Sequence, residues 1–526
     1  MSFHIMLEDE SIWYAGKNNK GQSGAGYTTT SSENSSYLML PYTQINPTTI
    51  DGESLLGNIK KIFSGYNSYI CCILTKDNKV YMCGSYQYIL TTGLEAKNYT
   101  QFIEIATDID GNNISGKIKD VCCGRNNKIL MIDENGNLYD GFFNTFSINK
   151  NGFKKIETDI DNNPMPPIKY ITNSSSGTYC AISEDGDMYL WGYGAYNMCA
   201  NGTYTSSQSL TQVSKPRLIK EVKNVVKVSI GSQIGMCQDV NGDYWIWGFG
   251  LKIGFKFEEN EFGDNTDYYI PMTNISKYSN LSNYYYIDSS YKKYSFPDRI
   301  KNFVINGSSC LATIEDENGN DINIASSGLS SEERNSFGSL VTSCEFWRII
   351  IDEPLKNTKY IAHQGSYYNI FYIDENKKVY TTGHPLALAM DNAPTDLMEY
   401  TQEIGEPNGL PNNYRVKAIN GVYVDKEEDS EENTTPTLPT INTNINNKIN
   451  IKTTDRFKTL ISSSMLDSSY SDSLENGYKI NVGDKFERVF YKDELESIGF
   501  TLNTQSEKIK VKTKDGYKEL ATTDML

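Results

Sequence analysis

Residues 237–248 read CQDVNGDYWIWG. A short alternating strand runs into Asp239-Val240-Asn241-Gly242-Asp243, and a second strand leaves that turn and ends on Gly248. Asn-Gly between alternating apolar runs is the strongest short-range signal for a β-hairpin, because both central residues need a positive φ. The closing glycine permits a sharp exit, as it does again at Gly192. Related stretches are AISEDGDMYLWG at 181–192, LMIDENGNLYDG at 130–141, ILTKDNKVYMCG at 73–84, YIDENKKVYTTG at 372–383 and MLEDESIWYAG at 6–16. A looser copy spans 312–328, with Asp316-Glu317-Asn318-Gly319 as its turn. That makes seven copies, roughly 50 to 80 residues apart, a period too long for most solenoids and suited to propeller blades.

Upstream of most hairpins lies a second recurring element. It reads IKKIFSG at 59–65, IKDVCCG at 118–124, IKYITN at 168–173, VVKVSIG at 225–231 and IKNFVING at 300–307. Each is a short strand followed by a turn residue. A last copy, VKAING at 416–421, has no hairpin after it, and the hairpin at 6–16 has no such strand before it. The two halves complete each other. The reading is therefore an all-β chain, a seven-bladed β-propeller closed by N- and C-terminal strands, which removes exposed sheet edges.

The pattern resembles the regulator-of-chromosome-condensation repeat family over residues 3 to 424. Blades of that family run from a V-x-x-V-x-x-G strand through a D-G hairpin to a W-G-x-N-x-x-G-Q-L-G tail. Gly16-Lys17-Asn18-Asn19-Lys20-Gly21-Gln22-Ser23-Gly24 matches the tail. Trp191-Gly192-Tyr193-Gly194 and Trp247-Gly248-Phe249-Gly250 match its start, and Asn335-Ser336-Phe337-Gly338 matches in part. The resemblance implies a seven-bladed propeller. The family's exchange factors displace nucleotide from a small GTPase with particular loops, and no position here takes over that wedge residue by residue. A fold of this kind does not by itself give a function.

Three segments follow from composition: a propeller at 1–424, an acidic and then Thr/Pro/Asn-rich linker at 425–450, and a small β-rich C-terminal domain at 451–526. The linker opens DKEEDSEENTTPTLPT, a composition that stays extended and solvated. The chain of 526 residues is 38% hydrophobic and 12% aromatic, which suffices for a packed core. It holds 66 acidic against 49 basic residues, for a net charge of -17. Phosphate backbones need Lys and Arg to displace counterions, so nucleic acid is not an expected partner, and an anionic lipid surface would repel the chain. No run approaches the length of a membrane-spanning helix, so no membrane insertion is expected. Glu8, Asp9 and Glu10 stand where a secretion signal needs an apolar core. Abundant Asn, Lys, Ile and Tyr, whose codons are AT-rich, suit the genomes of many anaerobic bacteria and their phages.

The ten cysteines include no C-x-x-C pair, and His4, His363 and His384 are too scattered for a metal cluster, so neither metal nor cofactor is expected. No Ser-His-Asp, Cys-His, H-E-x-x-H or phosphate-binding loop can be assembled. The G-x-G at Gly192 and Gly194 opens no helix and reads as a turn. Asp108-Ile109-Asp110-Gly111-Asn112 and Asp159-Ile160-Asp161-Asn162-Asn163 resemble the start of calcium loops, but Lys119 and Tyr170 stand where a bidentate Glu belongs, so both read as repeat-encoded turns. Cys72 and Cys180 lie five residues before Asp77 and Asp185, an offset that marks a packing position.

The insertion at 251–299 is the strongest binding candidate. It carries Tyr268, Tyr269, Tyr278, Tyr284, Tyr285, Tyr286, Tyr291 and Tyr294. Tyr offers rigid amphipathic contact area at low entropic cost, and long loops on a rigid scaffold commonly carry recognition. The insertions at 25–58 and 384–413 are further candidates. These features point to a non-enzymatic binding or structural protein. The leading expectation is a phage tail or baseplate component in the virion, its propeller loops recognising a cell-surface glycan or protein and residues 451–526 docking to other virion proteins. The alternative is a cytoplasmic regulator that binds a small GTPase as a nucleotide-exchange factor.

Overall fold

A computed structural model describes residues 2–29, 39–64, 69–91, 94–123, 129–142, 152–174, 176–202, 212–249, 269–277, 285–287, 293–295, 300–306, 309–315, 319–326, 347–349, 360–362, 369–383, 398–403 and 410–424, with the strands of 440–444, 448–452, 457–462, 466–467, 478–481, 487–490, 508–513 and 516–522. The chain divides into two units, Met1–Glu432 and Asn433–Leu526.

The first unit is an all-β propeller. Its regular sheet is a four-strand antiparallel meander. The second sheet, for example, runs Ile59–Phe63, Ile70–Thr75, Val80–Ser85 and Asn98–Glu104. The third starts at Ile118–Cys123, the fourth at Ile168–Asn173 and the fifth at Val225–Ile230, each followed by three further strands in order. The seventh runs Tyr360–Ala362, Asn369–Ile373, Val379–Gly383 and Met398–Glu403. The first sheet joins both ends of the propeller: Ser2–Leu7 pairs with Ile12–Lys17 on one side and with Val416–Ile419 on the other, through Ile5↔Ile419 and Met6↔Ala418.

Sequence repeats predict seven blades; the structure shows six regular blades and one sheet that departs from the pattern. The sheet built on the loose copy departs from the pattern. Asn302–Asn306, Ser309–Glu315, Asp321–Ser326 and Trp347–Ile349 form a meander, but Tyr285–Ile287 then adds in parallel to Trp347–Ile349, and Lys293–Ser295 pairs beyond it. The tyrosine-rich insertion, read as a loop, therefore contains this hairpin and also the strand Tyr269–Asn274, the outer strand of the fifth sheet. Tyr and Ile fit a pleated, half-buried surface, so a tyrosine-rich segment becomes strand where a sheet edge is open to it.

Burial explains the strands. In the second and fourth sheets the two middle strands are buried at every position, because each middle strand is covered by a neighbouring sheet on both faces. The first strands Ile118–Cys123 and Ile168–Asn173 instead bury every third residue and half-expose the rest. The core is accordingly a ring of clusters between sheets. One cluster joins Phe3, Ile5, Phe371 and Val416, another Ile12, Tyr14, Ile73 and Phe102, and a third Leu130, Ile182, Trp191 and Trp247.

Hairpin turns lock each sheet to the next. The turn carbonyls of Asn78, Gly136, Gly186 and Lys377 accept from the backbone N–H of Ile118, Ile168, Val225 and Val416, which open the following sheets. Connecting loops latch the rim: Ile50, Ile109 and Ile160 donate to Phe102, Phe153 and Pro216 in the outer strand of the next sheet.

The closing glycine of the hairpin has a double constraint. Gly84, Gly192 and Gly248 sit at φ of 115°, 93° and 108°, and a Cβ there would lie 2.1, 2.3 and 2.4 Å from the carbonyl oxygens of Tyr69, Gly177 and Gln233. Gly248→Ala is expected to lower unfolding free energy by about 2–3 kcal/mol, from left-handed strain plus displacement of the Gln233 backbone. A urea midpoint equal to that of the parent would refute this.

In the second unit, Thr440–Asn444, Lys448–Lys452 and Phe457–Ser462 form one sheet, Leu466–Asp467, Lys508–Thr513 and Gly516–Thr522 a second, and Tyr478–Asn481 with Glu487–Phe490 a pair. The first two strands fall among residues whose composition reads as linker.

Candidate interaction faces

An antiparallel four-strand meander has two ends. The turn between its second and third strands and the connection to the next sheet emerge at one end, called here the turn face. The remaining loops emerge at the other. Chemistry separates the two.

On the turn face the repeated aspartate folds its own turn. Asp239 Oδ1 accepts from the N–H groups of Asn241 (2.9 Å) and Asp243 (3.1 Å), and Oδ2 accepts from Trp245 Nε1 (3.2 Å). Asp133 and Asp374 repeat this with Asn135 and Asn137, and with Asn376 and Lys378. The calcium-like starts do likewise. Asp108 takes the N–H of Asp110 and Asn112 and the Asn112 side-chain amide, all within 3.0 Å, and Asp159 takes the Asn163 backbone and side chain. These carboxylates are occupied by backbone, as in an Asx-turn. Among the described residues no group of three or more His, Cys, Asp or Glu is placed to hold a metal ion.

Other acids of this face bridge neighbouring sheets. Glu8 pairs with Lys377 and with Arg415 Nε (2.7 Å), while Glu10 pairs with Lys76 (2.9 Å) and Lys417 (3.4 Å). Hydrogen bonds from Lys377 and Arg415 hold the Glu8 carboxyl below its usual range, and Lys76 does the same for Glu10. Among the described residues the turns and connections of this face are mostly acidic: Asp9, Asp51, Glu53, Asp110, Glu134, Glu157, Asp161, Glu184, Asp185 and Asp187 lie on them, with Lys76, Lys79, Lys117, Lys220, Lys223, Lys377 and Lys378 among them.

The opposite face is different. Among the described residues, its loops in the first, second, fourth and fifth sheets carry Lys17, Lys20 and Lys97, and the acid Glu95. Its blade tails are clamps. Asn18 Oδ1 accepts from the Ser23 N–H (3.0 Å) and its amide donates to Tyr27 O (2.9 Å). Asn197 repeats the geometry, accepting from Gly202 (2.9 Å) and donating to Ile270 O (3.1 Å) in the next sheet. Trp247 Nε1 donates to Met198 O (3.0 Å) in the same tail. The Gly192–Gly194 pair opens only a single 3-10 turn, Ala195–Asn197.

The tyrosines read as a binding cluster fall in different places. Tyr286 and Tyr294 are partners across the added hairpin, with Tyr285 opposite Ser295. Tyr269 pairs with Phe249 in the fifth sheet, so it stands apart from them in sheet position. Tyr294 is half-buried against the core cluster of Ile305, Ile314 and Ile324. Tyr268, Tyr278, Tyr284 and Tyr291 lie outside the described residues, as do His363 and His384. Cys72 and Cys180 are fully buried, and burial pushes both thiols well up. His4 is also fully buried, its Nε2 3.6 Å from Cys71 Sγ and its ring tilted at 59° to Tyr14 with centroids 4.9 Å apart. Composition had marked it only as a lone histidine. No helix among the described residues is long and apolar enough to cross a membrane.

Residues 185–238 match the Regulator of chromosome condensation (RCC1) repeat. They run from the hairpin turn of the fourth sheet to the second strand of the fifth. Among solved structures, human WBSCR16 is similar at 12% identity and a TM-score of 0.50, over 76% of this chain and 94% of that one. Prp20p from Saccharomyces cerevisiae, reported with its binding properties to Gsp1p and histones, is similar at 13% identity and a TM-score of 0.47, over 77% of this chain and 88% of that one. The likeness is one of fold.

Proposed function

We propose that this RCC1-repeat protein is a non-enzymatic, protein-binding propeller. The observation that supports the reading is the segregation of charge between its two faces. Among the described residues, a mostly acidic turn face lies opposite loops that carry Lys17, Lys20, Lys97 and the single acid Glu95, and such a difference orients a charged partner before contact and discourages the wrong approach. Among the described residues, several with reactive chemistry serve the scaffold: the aspartates Asp133 and Asp239 fold turns, and Cys72, Cys180 and His4 are packed inside.

Two finer readings share this base. In one, the propeller is a tail or baseplate appendage of a virion, its loops, including the hairpin with Tyr286 and Tyr294, meeting a cell-surface receptor. In the other it binds a small GTPase and releases its nucleotide. The test is capture of partners by the immobilised full chain from an extract of the source, with mass spectrometry of what high salt elutes. A specific protein retained at low salt is the expected result, and a partner set identical to that of an unrelated acidic protein would overturn the reading. Gold-labelled antibody on purified particles and a nucleotide-release assay then separate the two finer versions.

A further inference from the structure

The first strand of a propeller sheet faces the central channel, and in the first to fifth sheets it opens on Ile or Val, followed by the same residue type in four of the five. Lys417, Lys60, Lys119 and Lys169 take this position in the first to fourth sheets, Val226 takes it in the fifth, and Lys301 stands just before the first strand of the sixth. In the second to fourth sheets this lysine sits at a break in pairing register, between Ile59 and Lys61, Ile118 and Asp120, and Ile168 and Tyr170. A bulge re-aims the side chain it carries.

The lysines form a contiguous arc at the turn-face mouth. Lys60 Nζ donates to the carbonyl of Lys119 (3.3 Å). Lys119 Nζ lies 3.8 Å from Glu184 Oε1, and Lys169 Nζ donates to the Glu184 carbonyl (3.3 Å). Lys417 reaches Glu10. One position further along, Lys61 pairs with Asp120 at 2.5 Å. Lys60 and Lys169 hydrogen-bond backbone carbonyls rather than carboxylates, and burial holds the Lys169 ammonium below its usual range. Five lysines, Lys60, Lys61, Lys119, Lys169 and Lys417, thus share the four carboxylates Glu10, Asp120, Glu184 and Asp185, inside a protein of net charge -17. Poorly solvated walls strengthen such a field.

The same wall accepts extended chain. Val422–Tyr423 pairs with Val416–Ile419 on its inner edge, and the Tyr423 hydroxyl donates to the carbonyl of Lys60. Val422 and Val226 expose apolar surface at 43% and 36%.

We propose that this arc binds an extended acidic segment of a partner protein, its carboxylates seated on Lys60 and Lys169. The proposal rests on the protein-binding reading above and specifies one of its contacts. A carboxylate ligand suits the site because Glu10, Asp120 and Glu184 already engage its other lysines.

The test uses the full chain and a fluorescent oligo-glutamate peptide, followed by anisotropy at low and high salt, with circular dichroism as a check on folding. An acidic peptide is repelled by most of this surface, so binding reports a local positive site. Salt-sensitive binding is expected. The double change Lys60→Gln with Lys169→Gln should weaken it by about tenfold or more, and Val226→Lys, which fills the missing position, should tighten it severalfold. Lys97→Gln on the opposite face should leave it unchanged. Equal binding by the parent and the double variant, or no binding by either, would overturn the proposal. So would binding of tripolyphosphate alone, which would make this a phosphate site. If extract partners are still captured by the double variant while the peptide is not bound by the parent, the arc fails and the protein-binding reading stands.

Discussion

Replacing Trp247 by Ala is expected to lower the unfolding free energy by about 3–5 kcal/mol, the range for removing a large aromatic from a packed interior. Trp247 is among the largest fully buried side chains of the protein. Its ring lies directly against Gly235, where an added Cβ would come within 2.1 Å of it. Its Nε1 donates to Met198 O at 3.0 Å, which ties the fifth sheet to the tail of the fourth. Truncation opens a cavity between two sheets and orphans a buried carbonyl, and Gly235 supplies no side chain to fill the space. Trp247→Phe should recover much of the packing and none of the hydrogen bond. The measurement is the urea midpoint of the three proteins. A loss under about 1 kcal/mol for the alanine variant, small for a buried aromatic, would mean that this contact does not hold the two sheets together.

The second large effect is acid sensitivity from His4. Burial lowers its pKa from 6.5 to about 3, and its Nδ1 has no hydrogen-bond partner. The folded protein therefore keeps the ring neutral where the unfolded chain protonates it. Between those two values the unfolded state binds the extra proton, so stability is full above pH 6.5 and falls as the pH drops toward 3. The slope reaches about 1.4 kcal/mol per pH unit. Carboxylates such as Glu8 and Glu10, held below their usual value of 4.5, lose their contribution only at lower pH. The interval between 6.5 and 4.5 thus isolates the histidine. Stability should decline across it in the parent and stay flat in His4→Phe, which keeps an aromatic ring beside Tyr14. Parallel curves for the two proteins would show that the ring is not kept neutral.

Much of this architecture was legible in one dimension because its decisive interactions are local. The Asp and Gly of DVNGD act within five residues: the carboxylate of Asp239 takes the N–H of Asn241 and Asp243, and Gly242 adopts a φ of 82°. Asp133 and Asp374 act alike, and in two other copies the hydroxyls of Thr75 and Ser183 take the same role. The closing glycines and the Asn18 tail were visible for the same reason. The calcium-like starts could be set aside because the residue a calcium loop needs at its end was missing, and the structure shows what occupies Asp108 and Asp159 instead.

The irregular sixth sheet was not legible. Tyr285–Ile287 finds its partner in Trp347–Ile349, about sixty residues away and in parallel, and an alternating pattern says which face a residue takes but not which strand it will meet. The channel lysines are an intermediate case. Ile-Lys or Val-Lys opens most of the first strands in the sequence itself, yet one lysine on one strand reads as ordinary solvated charge. Only the comparison of equivalent positions across copies could have flagged it.

The sequence by itself determined the repeat, the hairpins and the closure of Val416–Ile419 on Ser2–Leu7, because turn geometry and side-chain alternation are properties of neighbouring residues. Tertiary structure alone decided that six blades are regular, that His4 is sealed from water, that acids collect on the turn face and that Lys60, Lys119 and Lys169 form one arc. Burial and electrostatic fields are sums over groups far apart in the chain, and they exist only once the ring has closed.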